Sequence, residues 1–146
     1  MASFTYTREV AAPPATVFDV LTDHRGYAKI TPLRKAELER EGETDPDGVG
    51  AIRRLTAVGP PMREEVLAYV PGKRFSYKLL SGLPVRDHVG TVELTPSGDG
   101  THVVYAVRTT PTLPLVGGAF LVGMKFGIKQ LLGGVAKESE RRAANG

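Results

Sequence analysis

Five side chains in this 146-residue chain have types and spacings that could do chemistry: Arg53, Glu64, Tyr77, His88 and Tyr105. His88 is the most interesting titratable group. It lies in the run Asp87 to Thr95, where His88, Gly90, Val92 and Leu94 form an apolar phase and Asp87, Thr91 and Glu93 a polar one. The two-residue period of a strand therefore turns the imidazole inward. A neutral imidazole serves as general base or hydrogen-bond donor near neutral pH. At this position it is a candidate catalytic acid/base, a ligand contact, or a core histidine with a satisfied hydrogen bond. In Arg74 to Leu80 the apolar phase is Phe75, Tyr77 and Leu79, and in Thr101 to Thr110 it is Val103, Tyr105 and Val107. Tyr77 and Tyr105 either hydrogen-bond a ligand oxygen or pack as ordinary amphipathic core residues.

Arg53 and Glu64 stand on either side of the turn Gly59-Pro60-Pro61 and face each other in a regular hairpin. On the surface they form a cross-strand ion pair of little energetic weight. Buried, the pair is costly unless well hydrogen-bonded, and it then orients a polar ligand group, since a guanidinium suits carboxylates. A slip of one residue puts Arg54 and Glu65 in these places.

Other chemistries lack their residues. There is no cysteine, so no disulfide, thiolate site or thiol nucleophile. His24, His88 and His102 are not at metal-ligand spacing, and His102 falls on the solvent phase of its strand. No Gly-x-Ser-x-Gly elbow or P-loop occurs. Gly48-Val49-Gly50 lacks a third glycine and precedes a strand, so it is no dinucleotide loop. No cofactor and no metal are expected. Lys and Arg number 19 against 16 Asp and Glu, a net charge of +3. They are scattered in pairs such as Arg34-Lys35 and Arg141-Arg142, not gathered into the basic face a nucleic acid requires. Met1 to Tyr6 shows no basic-then-apolar leader, so the cytoplasm is the expected compartment. Leu113 to Met124 is apolar but shorter than the roughly 20 residues a bilayer span needs. It reads as a buried helix, without stable membrane insertion.

The elements that must position these residues follow from periodicity and turn chemistry. Ser3 to Ala11 alternates as a strand. Pro13-Pro14 stops it and opens a short helix over Ala15 to Leu21, and a second covers His24 to Ile30. Strands then follow over Leu33 to Glu43, Val49 to Val58, Met62 to Val70, Arg74 to Leu80, Asp87 to Thr95 and Thr101 to Thr110. They are punctuated by Asp45-Pro46-Asp47-Gly48, Gly59-Pro60-Pro61, Pro71-Gly72 and Pro96-Ser97-Gly98. One long helix closes the chain from Leu115 to about Ala143, with Leu121, Met124, Ile128, Leu131 or Leu132, and Val135 at spacings of three and four. Consecutive strands imply an antiparallel meander. A seven-stranded sheet with one long apolar helix buries both by curling around the helix. A single helix cannot fill the concave side, so a cavity remains, and cavities of this kind are ligand sites by default.

In order and spacing the chain resembles the SRPBCC or START-like superfamily, which includes the Bet v 1-like proteins, and within it the polyketide cyclase/dehydrase branch. The stretches that carry the likeness are Pro13 to Leu21, Gly48 to Arg54, Glu64 to Tyr77 and Gly90 to Thr101. Family members commonly have an acidic residue where Val70 stands. The resemblance implies an α+β helix-grip fold: a seven-stranded curved antiparallel sheet wrapped around a long C-terminal helix, with two short helices after the first strand, in a single ligand-binding domain over 1–146. It implies function less narrowly, since the superfamily includes carriers, receptors and aromatase/cyclases.

Three functions follow. The first is a carrier or binding protein for a small hydrophobic molecule, lipid-like or aromatic. Its ligand contacts are expected at Arg53, Glu64, Phe75, Tyr77, Leu79, His88, Val92, Tyr105, Leu121, Met124 and Ile128. The second is a cyclase or dehydratase using the same cavity, with His88 as acid/base and Arg53 and Tyr77 fixing a carbonyl or enolate oxygen. The third is an interaction module in which Leu113 to Gly127, with Gly123 and Gly127 four apart, forms a homodimer face or a membrane-facing patch. Scarcity of acid/base pairs with distinctive spacing favours binding over catalysis.

Overall fold

The computed structural model describes residues 1–114 and 117–146. Strand β1 (Ala2–Val10) alternates as its sequence requires, with Ser3, Thr5, Thr7 and Glu9 exposed and Val10 buried. Pro13 holds an extended conformation (φ −62°, ψ 152°) as the N-cap, and Pro14 opens α1 (Pro14–Leu21). A proline costs nothing there because its missing N–H would have had no partner in the first turn. Helix α1 buries Val17, Phe18, Val20 and Leu21. A 3₁₀ turn (His24–Gly26) leads into α2 (Tyr27–Ile30). The strands β2 (Lys35–Arg40), β3 (Ile52–Thr56), β4 (Met62–Val70), β5 (Arg74–Ser81), β6 (Val85–Ser97) and β7 (Gly100–Pro111) follow, and α3 (Gly117–Asn145) ends the chain. The expected start of that helix at Leu115 lies outside the described residues.

Strands β2 and β3 are shorter than their sequence pattern predicts. Residues 41–51 instead fold on themselves through Gly42 N–H to Pro46 O (3.0 Å) and Glu43 N–H to Val49 O (3.0 Å). Pro46 has no N–H to give a ladder, so the Asp45-Pro46 turn widens into a loop.

The seven strands form one antiparallel sheet in the order β1-β7-β6-β5-β4-β3-β2. Its concave face and the helices enclose the core, in which Val17, Phe18, Val66, Phe75, Val92, Val103 and Val135 are nearly inaccessible. The C-terminal half of α3 is clamped down. It buries Ile128, Leu132, Val135, Ala136 and Ser139, and at Gly134 it approaches α2 so closely that any Cβ would overlap the Ile30 carbonyl oxygen.

The N-terminal half of α3 behaves differently. Val122 and Phe126 are exposed, so from Gly117 to Met124 it is not the buried helix its composition suggests. This half stands off the sheet across a cavity and presents its other side outward. By length and apolar composition alone α3 would suffice to cross a membrane; here one of its faces packs on the sheet and on α1.

Candidate ligand-binding site

Between the N-terminal half of α3 and the sheet lies a cavity of about 430 Å³, within the range of about 300–1,000 Å³ typical of small-molecule sites. Phe120, Met124, Ile128 and Leu131 line it from α3, Leu55 and Met62 from the strands, and Pro32, Leu33 and Leu83 from the loops. Gly123 and Gly127 also line it, and a Cβ built at either meets nothing within 4 Å. Both glycines are exposed and leave open space beside the cavity. Besides Thr31 and Gln130, the polar lining comes from Tyr27, Arg53, Glu64, Tyr77, His88 and Tyr105.

Strand register builds the first polar pair. Arg53 on β3 lies directly opposite Glu64 on β4, and both are buried, at 2% and 5% exposure. The surface alternative is thereby excluded, while Arg54 and Glu65 take the outward phase. Arg53 Nε donates to Glu64 Oε1 at 2.8 Å, Nη2 lies 2.7 Å from the same oxygen, and Nη1 donates to the Tyr27 hydroxyl at 3.1 Å. Tyr27 in turn donates to the Leu21 carbonyl. The guanidinium lies against the rings of Tyr77 (4.6 Å), Phe75 (5.3 Å) and Tyr27 (5.3 Å), which add cation–π attraction. Burial works against its charge, but Glu64 together with the hydroxyls of Tyr27, Tyr77 and Tyr105 outweighs it and holds Arg53 protonated.

His88 keeps the inward phase of Gly90 and Val92, and an irregularity falls just before it. Arg86 pairs with Thr110 and Val89 with Arg108, so Asp87 and His88 together oppose Thr109. Asp87 adopts φ +52°, a left-handed conformation that aspartate tolerates better than most residues. This β-bulge re-aims the strand locally, and His88 Nδ1 settles 3.0 Å from Thr109 Oγ1. Burial lowers the His88 pKa, partly opposed by Glu64, so the imidazole is neutral at neutral pH. Its ring lies 6.1 Å from that of Tyr77. The hydroxyls of Tyr77 and Tyr105 hydrogen-bond to each other, and burial raises the pKa of both, so they remain phenols.

Of the residues expected to contact a ligand, Arg53, Glu64, Tyr77, His88, Tyr105, Met124 and Ile128 line this one cavity. Phe75 and Val92 are buried behind it, Phe75 as a platform for Arg53. Leu79 and Leu121 are half-buried and fall outside the lining. The helix stripe that faces the cavity runs through Phe120, Gly123 and Gly127, and glycine carries no hydrophobic signal. Leu80 is skipped in the β4–β5 register beside Leu79. Tyr27 and Phe120 are the main lining residues the sequence reading misses, and Leu131, one of two alternatives on the helix stripe, is the one that lines the cavity. His24, outside the lining, is also missed. It is fully buried, its Nδ1 lies 3.1 Å from Asp47 Oδ1 without hydrogen-bond alignment, and burial lowers its pKa to about 4.

A curved antiparallel sheet gripping a long C-terminal helix over a partly polar cavity defines the helix-grip, START-like class. Residues 1–141 match the model of the family described as polyketide cyclase / dehydrase and lipid transport, and the chain belongs to that family. No curated protein matches it in sequence. Among solved structures it is similar to a START superfamily protein from Mycobacterium smegmatis (TM-score 0.80, 16% identity, 95% of this chain and 97% of that one). It is also similar to the protein TTHA0849 from Thermus thermophilus (TM-score 0.78, 23% identity, 97% and 99%). A third likeness is to half of the di-domain ARO/CYC StfQ of the steffimycin biosynthetic pathway (TM-score 0.81, 16% identity, 97% and 51%).

Proposed function

We propose that the chain is one ligand-binding domain that carries a small hydrophobic molecule, lipid-like or aromatic, in the cavity under α3. The observation that supports this reading is the division of the lining: apolar walls from α3, the strands and the loops, and a polar set anchored on Arg53 and Glu64. Such a division suits a ligand with an apolar body and a polar end. The family description and the START-type neighbour agree with it. The test is native mass spectrometry of the freshly purified protein, followed by denaturing extraction. A retained small molecule of defined mass, released on denaturation, is the expected result. An empty protein that also binds no hydrophobic probe would refute it.

A second reading is a cyclase or dehydratase in the same cavity. It is favoured by His88, a neutral imidazole held by Thr109 and facing a cavity that also holds Tyr77 and Arg53. In that reading His88→Ala lowers turnover about a hundredfold or more; unchanged turnover on any substrate found would remove His88 from the chemistry.

A further inference from the structure

A buried arginine in a ligand cavity suggests recognition of a carboxylate. The geometry here points the other way. We infer that the polar end of the ligand is an uncharged hydrogen-bond donor, a hydroxyl or phenol, received by Glu64 Oε2, and that carboxylates are turned away. The inference rests on the reading of the cavity as a binding site.

Three of the five N–H groups of Arg53 are engaged: Nε and Nη2 on Glu64 Oε1, at 2.8 and 2.7 Å, and Nη1 on Tyr27 at 3.1 Å. The rings of Tyr77, Phe75 and Tyr27 crowd the guanidinium. Tyr77 and Tyr105 are engaged with each other. Glu64 differs. Both of its contacts with Arg53 fall on Oε1. Among the described residues Oε2 has no hydrogen-bond partner, and it is not sealed off by neighbouring atoms, although Glu64 is only 5% exposed and lines the cavity. A carboxylate oxygen without a donor is a pure acceptor, and within apolar walls its unmet capacity is worth more than it would be in water.

Charge decides among the possible donors. Arg53 and Glu64 compensate each other, so an incoming anion has no free countercharge, meets the acceptor oxygen and carries an uncompensated charge into an apolar space. An ammonium carries the same desolvation cost and meets the field of Arg53. A neutral hydroxyl completes the shell of Oε2 without adding charge.

The test is a set of NMR titrations of the intact protein at neutral pH with naphthol, naphthoate and methylnaphthalene, which share one apolar body. Naphthol is expected to bind about tenfold or more tightly than either of the others, as one hydrogen bond to a charged acceptor predicts. Glu64→Gln removes the countercharge of Arg53 and is expected to shift the preference toward naphthoate. Naphthoate binding to the native protein as tightly as naphthol overturns the proposal while leaving the cavity a binding site, and so does an unchanged preference in a folded Glu64→Gln variant. Absence of saturable binding by all three overturns the binding reading itself. The series on the native protein stands without the variant, should the variant fail to fold.

Discussion

The ring of Tyr77 lies across the backbone of Gly90, its direct partner on the neighbouring strand. By passing over this glycine on β6, the Tyr77 hydroxyl reaches that of Tyr105 on β7, one strand further. A Cβ at Gly90 would overlap the Cζ and hydroxyl end of Tyr77. Gly90→Ala is therefore expected to lower stability by about 1–3 kcal/mol through overpacking. Tyr105→Phe, which removes only the hydrogen bond, is expected to cost about 1 kcal/mol. Urea denaturation measures both. An alanine variant as stable as the native protein would mean that the ring has another path.

The Arg53–Glu64 pair is buried on both sides. Removing one partner strands the other charge, so Arg53→Met is expected to cost about 3–5 kcal/mol, whereas Arg53→Met combined with Glu64→Leu recovers most of the loss. A double-mutant cycle in denaturant reads the coupling directly. A double variant as unstable as the single one would show that packing, not charge, dominates at this site.

His24 supplies a pH dependence whose sign follows from its burial. Its pKa falls from the ordinary histidine value of 6.5 to about 4, with burial as the main cause and Asp47 opposing it in part. Between those values the unfolded chain binds a proton that the native protein refuses, so stability falls as pH drops from 6.5 toward 4. The full difference is about 3 kcal/mol. Replacing His24 with phenylalanine is expected to flatten this part of a stability-against-pH curve. The remaining slope reflects other groups, His88 among them, whose lowered pKa acts in the same direction. An equally steep slope in the variant would remove His24 as its source.

Gly123 and Gly127 lie within a helix and face open space. Gly123→Ala is therefore expected to raise stability by about 0.5–1 kcal/mol, from helix propensity alone. Gly127→Leu is expected to leave the fold intact and abolish retention of hydrophobic molecules by filling their space. Calorimetry and native mass spectrometry separate the two effects. A leucine variant that binds as well as the native protein would move the ligand elsewhere.

Most of the architecture is readable from the sequence because it rests on local signals. Period-two alternation places Phe75, Tyr77, His88, Val92 and Tyr105 on the inner phase, and the Gly59-Pro60-Pro61 turn brings Arg53 opposite Glu64. What sequence cannot show depends on other parts of the chain. Whether Arg53 is buried is decided by Tyr27 and Phe75, which cover it from other elements. The helix face over the cavity is partly glycine, so a count of apolar residues settles on Leu121 where Phe120, Gly123 and Gly127 do the lining. His24 looks like an ordinary helix residue until Phe75 and the Asp47 loop close over it.

The sheet order also constrains how the protein is made. β1 leaves the ribosome first, yet its partner in the sheet is β7, with Ala2 opposite Thr109 and Val10 opposite Thr101. Throughout translation of the intervening strands it has no ladder to join, and the core lacks Phe4, Tyr6 and Val10 until that late pairing forms. Such long-range pairing is slow and leaves an edge open to other chains. Ser3, Thr5, Thr7 and Glu9 give β1 a polar face, so one side of the waiting strand is suited to water before its partner exists.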